Sequence, residues 1–189
     1  MILCVGTSGC GKSVLLKCLQ NKNNLAKLKA DLMMSTIPTV GSNLVTLTRT
    51  RMKKNQTLPP EEIIIREVGG TLAPLWHSYV ESGNIKGILF LVDASSPETI
   101  GASTLYIIEL IGSQPATVNL DVMVVFTKTD LKSGRSLSEL KAIMRLDQIV
   151  AMTNQKITSL TFNTETMANL GEIHDWIMQF SLPKVTVKK

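Results

Sequence analysis

The opening of the chain leaves little choice of fold. Residues 1–5 are a short apolar run, Gly6-Thr7-Ser8-Gly9-Cys10-Gly11-Lys12-Ser13 follows at once, and Val14-Leu15-Leu16-Lys17-Cys18-Leu19 continues with apolar residues at helical spacing. A buried strand, a glycine turn and a helix, with the spacing G-x-x-x-x-G-K-[ST], form a cradle for phosphate. The glycines let backbone N–H groups converge on the anion with no Cβ in the way, and the helix start adds the positive end of its dipole. Lys12 reaches the β/γ-phosphates as a point charge, and the Ser13 hydroxyl is placed to ligate Mg²⁺. The candidate phosphate contacts are therefore Gly6, Ser8, Gly9, Cys10, Gly11, Lys12 and Ser13, and the implied ligand is a nucleoside di- or triphosphate. A glycine turn that binds nothing is the competing reading, and the flanking strand and helix argue against it.

The rest of the chain alternates strands and helices. The first helix is expected over residues 13–28, with a break near Asn23-Asn24, and Ile37-Pro38-Thr39 marks a loop. Residues 42–52 and 62–67 read as the strands of a long hairpin whose polar tip is residues 53–60. Residues 85–93 and 120–127 are dense apolar runs of the kind buried on both faces of a parallel sheet. Helical patterns fall at 97–111, 136–146 and 170–180. Such alternation predicts an α/β fold built from βαβ units, its sheet covered on both sides.

Thr127-Lys128-Thr129-Asp130 closes one of these runs, at the carboxyl end of its strand, where open α/β sheets bind ligands. The phosphate loop also follows a strand end, so both motifs face one crevice. A carboxylate at Asp130 accepts hydrogen bonds from both guanine N1–H and the exocyclic amine, a donor pair that adenine lacks, at about 1–3 kcal/mol per partner. The stem of Lys128 would cover the face of the base. An ordinary strand-end loop is the alternative.

Bulk properties exclude several classes. The chain has 189 residues, the size of one domain with a full core, and its aromatic content of 4% predicts an aliphatic interior. A net charge of +5 suits anionic partners, yet no basic patch is interleaved with aromatics, which argues against nucleic acid. Cys4, Cys10 and Cys18 have no metal-ligand spacing and fit free thiols in a reducing compartment. Lys12 and a helix start beside Cys10 favour a thiolate, but a small residue filling the loop is the better reading. No apolar run is long enough to span a membrane, so a cytoplasmic monomer is expected.

Pro38-Thr39-Val40-Gly41-Ser42-Asn43 resembles the first switch of ADP-ribosylation-factor-like small GTPases. Arg66-Glu67-Val68-Gly69-Gly70-Thr71 is similar to their second switch, and Phe90-Leu91-Val92-Asp93-Ala94-Ser95 to their fourth strand. The likeness runs from residue 1 to about Phe180. It implies a P-loop NTPase fold with a mostly parallel six-stranded sheet and helices on both faces, over residues 1–182, followed by a basic tail at 183–189. It also implies GTP/GDP and Mg²⁺ as cofactors, with Ser13, Thr39 and the residue at position 67 around the metal. Thr39 would sense the γ-phosphate, and the Gly70 N–H would bind it. Both switches would be ordered by GTP and released on hydrolysis, with effector and regulatory proteins meeting them.

Several positions depart from that pattern. Glu67 stands where the family has Asp, so its carboxylate lies one methylene further out and is expected to crowd the metal's water shell. Thr71 stands where a Gln orients the attacking water, which predicts slow intrinsic hydrolysis, with Gly70 and Thr71 as the catalytic positions. Thr127 replaces an Asn and is expected to weaken the tie between base and phosphate loop, a departure that Thr-Lys-x-Asp variants of other small GTPases imply is tolerated. Asn163 and Thr164 are carried over as the last base contacts. Ile2 excludes N-myristoylation, and the C-terminus has no prenylation cysteine. Arg49, Arg51, Lys53 and Lys54 offer at most weak contact with anionic lipid, and a solvated hairpin tip is the better reading. Trp76 and Tyr79 read equally as core contacts and as an effector-facing cluster. A GTP-dependent switch leads, and a non-cycling, nucleotide-held scaffold is the alternative. An ATP-using kinase conflicts with Asp130 and Gly69-Gly70.

Overall fold

A computed structural model of the chain describes residues 1–22, 38–50, 52–53, 56–57, 60–112, 120–131 and 134–183. The expected helix extension to residue 28, most of the basic hairpin tip and the tail at 184–189 lie outside the described residues.

Six strands form the main sheet: β1 (Ile2–Gly6), β2 (Ser42–Arg49), β3 (Glu61–Val68), β4 (Gly87–Asp93), β5 (Asp121–Thr127) and β6 (Ile157–Thr161). Their order is β2-β3-β1-β4-β5-β6, and Leu182–Pro183 adds a short antiparallel segment against Glu61 and Glu62. Only β2 and β3 pair antiparallel within the six, in register from Ser42 with Val68 to Arg49 with Glu61. The sheet is thus the mostly parallel six-stranded one expected. The hairpin continues beyond β2 as a small ribbon of Met52–Lys53 against Gln56–Thr57.

The burial of each strand follows from its place. All residues of β1 and β4 are buried, because helices cover both faces of the sheet's centre. β2 lies at the edge and alternates, burying Val45 and Leu47 while Leu44, Thr46 and Thr48 face out. Among the described residues six helices complete the layers: α1 (Lys12–Gln20), α2 (Trp76–Ser82), α3 (Pro97–Gly112), α4 (Leu137–Met144), α5 (Leu146–Met152) and α6 (Leu170–Met178). On one face Leu15, Leu16, Ile173 and Ile177 pack on Ile2, Cys4, Leu89, Leu91 and Val125. On the other, Val80, Ile100, Ile107 and Leu140 pack on Leu3, Val5, Phe90, Val92 and Val124. Odd and even positions of one strand therefore serve separate cores.

One expectation is corrected, and two points the sequence left open are settled. The pattern read as one helix over 136–146 is broken at Arg145, whose φ of 53° ends α4 and starts α5. β6 had no place in the sequence reading, because only Leu160 of its five residues is buried and it presents no apolar run. Trp76 is a core residue, 1% exposed, with its ring edge-on to Phe90 at 6.0 Å and tilted against Tyr106 at 5.6 Å. Tyr79 stays half-buried beneath the Arg66 guanidinium, 5.7 Å from the ring centroid.

The chain leaves β1 towards β2 and β3 on one side and returns to β4 on the other. That reversal of direction at the carboxyl end of β1 is the switch point at which open α/β sheets form a crevice.

Candidate functional site

The loop between β1 and α1 is shaped by what lies under it. At Gly6 φ is 149°, and a Cβ there would stand 2.4 Å from the Leu91 carbonyl oxygen and 2.8 Å from Cys10 Sγ, so no side chain fits. Lys12 Nζ donates to the carbonyl oxygens of Gly6 at 2.9 Å and Thr7 at 3.0 Å, which fixes its ammonium along the inner wall of the loop. Cys10 is wholly buried with Sγ 3.7 Å from Lys12 Nζ. Burial pushes its thiol up and outweighs the lysine's opposing charge, so Cys10 fills space and is not a thiolate.

Thr39, just before β2, and Glu67, near the end of β3, meet Ser13 from the side. Ser13 Oγ donates to Glu67 Oε1 at 2.5 Å, Thr39 Oγ1 donates to the same oxygen at 3.1 Å, and the two hydroxyl oxygens are 3.1 Å apart. Gly70 opens a 3-10 turn (Gly70–Leu75) and lies directly on the loop: a Cβ there would be 2.2 Å from Ser8 N.

A cavity of about 380 Å³ opens among these groups, lined by Ser8, Gly9, Gly11, Lys12, Ser13, Thr39, Glu67, Gly70 and Lys128, with Val14 and Pro38 between them. Gly6, Cys10 and Thr127 stand behind this lining. Thr71, Asp130, Asn163 and Thr164 are not part of it, and Thr71 and Asp130 are exposed.

The strand ends beyond the cavity are joined to the loop. Thr127 Oγ1 donates to the Cys10 carbonyl at 2.8 Å and lies 3.1 Å from that of Val92. A threonine at this position thus still reaches the phosphate loop, through its hydroxyl. Lys128, with φ 56°, places Nζ 2.6 Å from Asp93 Oδ2, and Asp93 Oδ1 accepts from the Ser95 N–H at 2.9 Å. Burial alone would raise the Asp93 carboxyl, but the hydrogen bonds from Lys128 and Ser95 and the lysine's charge hold it below the usual carboxylate range. The pairing of Asp93 with Lys128 was missed, although a carboxylate closing a wholly apolar strand was the available signal. Asn163 Oδ1 accepts from the N–H groups of Glu165 and Thr166, closing the turn after β6 beside the end of β5.

The donor chemistry fits a hard divalent cation. Mg²⁺ takes six oxygens at about 2.0–2.1 Å, which sets neighbouring ligands about 3 Å apart. Thr39 Oγ1 lies 3.1 Å from both Ser13 Oγ and Glu67 Oε1, which is that spacing, while Ser13 Oγ and Glu67 Oε1 are drawn closer, to 2.5 Å, by their hydrogen bond. Glu67 is 2% exposed and has no cationic side chain paired with it among the described residues, so a metal would supply charge that the protein does not.

Residues 1–181 match the model of the ADP-ribosylation factor family. The chain belongs to that family. Among its relatives, the human ADP-ribosylation factor-like protein 16 is 33% identical over 179 residues, covering 94% of this chain and 84% of that protein. ADP-ribosylation factor J of Dictyostelium discoideum is 29% identical over 150 residues, 78% of this chain and 69% of that protein. In fold, this family member resembles the Arl6 BBS3 small GTPase of Trypanosoma brucei, solved with the bound nucleotide analogue GppNp. The TM-score is 0.63, with 17% identity and 94% of each chain covered. As an ADP-ribosylation factor family member the chain is a small GTPase.

Proposed function

We propose that this protein is a GTP-binding regulatory switch that hydrolyses GTP slowly and recruits effectors in its GTP-bound form. The observation that carries the reading is the convergence of the loop lysine, Ser13, Thr39, Glu67 and the Gly70 backbone on one cavity.

Loop N–H groups and Lys12 hold the β/γ-phosphates, while Ser13, Thr39 and Glu67 hold Mg²⁺. A Mg²⁺ held there would supply charge to neutralise what develops on the phosphate oxygens. The Gly70 N–H donates to the γ-phosphate, so the turn that begins there changes position with the nucleotide. Asp130 accepts from guanine N1–H and its amine, Lys128 covers the base, and Asn163 and Thr164 close the far side of the base. Thr127 keeps the base loop and the phosphate loop in register. Hydrolysis is slow because Thr71, exposed and outside the cavity, has too short a side chain to orient the attacking water. The product of the GTP state is a recognition surface at the two switch segments.

Single-turnover hydrolysis in Mg²⁺ tests this. The wild type should be slow, and Thr71→Gln should raise the rate by about tenfold or more by restoring a water-orienting amide. A wild-type rate equal to that of the glutamine variant would remove the account of Thr71. The alternative, a non-cycling scaffold held by guanine nucleotide, draws on the Glu67 contacts that close Thr39 onto Ser13. It predicts no hydrolysis in either protein.

A further inference from the structure

We infer that Asp93 is a positioning residue for nucleotide binding, whose carboxylate anchors the Lys128 ammonium so that the lysine stem is set out ready for the base. The inference rests on the proposed reading that Lys128 covers that base. Asp93 stands outside the lining of the cavity, whereas Lys128 is part of it, so Asp93 acts through Lys128 alone.

The anchor is itself fixed. Asp93 is 8% exposed and closes β4, a strand buried along its whole length. Its Oδ1 accepts from the Ser95 N–H at 2.9 Å, which leaves Oδ2 to face Lys128 Nζ at 2.6 Å. Its carbonyl accepts from Thr99 Oγ1, in the first turn of α3, at 2.7 Å. The strand ends are clamped as well: Asp93 and Thr127 are partners in register, and the Ala94 N–H donates to the Thr127 carbonyl at 3.0 Å. Lys128 follows that clamp at a left-handed φ of 56°, so its Cα is placed by the strand pairing and its Nζ by Asp93.

Holding both ends matters because a lysine side chain has high rotamer entropy, which is lost when the stem is laid against a ligand. Between two fixed points much of that freedom is given up before any ligand arrives, and the loss on binding is smaller. The pair is partly open to water, with side-chain exposures of 34% for Lys128 and 11% for Asp93. Solvent screening therefore limits its effect on affinity to about threefold to tenfold.

Competition titrations of nucleotide-stripped protein with a fluorescent GTP probe and Mg²⁺ read the anchor. Asp93→Asn keeps an acceptor for Ser95 but turns an amide donor towards the ammonium. It should weaken GTP and GDP alike by about threefold to tenfold, because the base is common to both. Tripolyphosphate, which has phosphates and no base, should keep its wild-type affinity. Lys128→Met retains an apolar stem without the ammonium and should weaken both nucleotides to a similar degree, and adding Asp93→Asn to it should cost nothing further. A merely structural Asp93 would lower Tm and leave the affinities alone. Unchanged GTP and GDP affinities in Asp93→Asn, a loss that extends equally to tripolyphosphate, or losses that add in the double variant would each overturn the inference. A wild type that does not bind the probe removes the functional reading and this inference with it. A wild type that binds, matched by Asp93→Asn, removes the inference alone.

Discussion

Thr127 shows how one hydroxyl couples the end of β5 to the loop after β1. Its single proton reaches the Cys10 carbonyl from the end of β5, and the side chain is 3% exposed, so water cannot replace it. Thr127→Val keeps the shape and removes the donor. It should cost about 1–3 kcal/mol, a drop of a few degrees in Tm at this chain length, and should speed nucleotide dissociation. Unchanged melting and unchanged release would show that the bond carries nothing. Asp93 makes a pH-dependent contribution whose sign follows from its lowered pKa. The stabilisation is complete above the unfolded value of 3.8 and is lost as the pH falls through the folded value. In denaturant melts the stability gap between wild type and Asp93→Asn should therefore be full at about pH 7 and narrow progressively as the pH falls below 3.8. The thiols behave differently: burial raises Cys4 and Cys10 and pushes Cys18 up to about 11, so native protein should react slowly with a thiol reagent at neutral pH.

At the scale of elements, the turn after β3 and the phosphate loop share a surface too close for any side chain. Gly70→Ala would set a methyl group 2.2 Å from Ser8 N. Backbone cannot yield there as a flexible side chain would, so the substitution should cost about 1–3 kcal/mol or lift residues 70–75 off the loop. Hydrogen exchange of that turn beside a thermal melt checks this, and a variant unchanged in both would contradict the close packing. The family resemblance placed Gly70 near the phosphates, but the direct backbone contact of its turn with Ser8 was not legible in sequence. The loop of residues 6–13 was legible because its function depends on local backbone, and local spacing records it. β6 was not, because an edge strand needs only one buried residue, and neither was the break at Arg145, where a left-handed residue interrupts an unbroken apolar period.

The whole molecule is a sheet with two cores, and its centre was readable from composition alone. β4 and β5 are apolar because helices cover both sides, and that is what a continuous run of Ile, Leu, Val and Phe records. Phe90 is wholly buried against Trp76, so Phe90→Ala should cost about 3–5 kcal/mol without altering the opposite core. Among the described residues no helix is long and apolar enough to cross a membrane. What remained hidden at this scale was the meeting of Asp93 with Lys128, a pairing made by strand order rather than by any local motif, whereas the gathering of Ser13, Thr39 and Glu67 was expected through the family resemblance alone.

The central claim is that this crevice selects guanine nucleotide. The direct test is a titration of nucleotide-stripped protein with fluorescent GTP in Mg²⁺, competed separately by GTP, GDP and ATP. The account predicts that GTP and GDP displace the probe while ATP is weaker by about a hundredfold or more, the value of two hydrogen bonds to Asp130 that adenine cannot make. Equal displacement by ATP, or no binding of the probe, would contradict it.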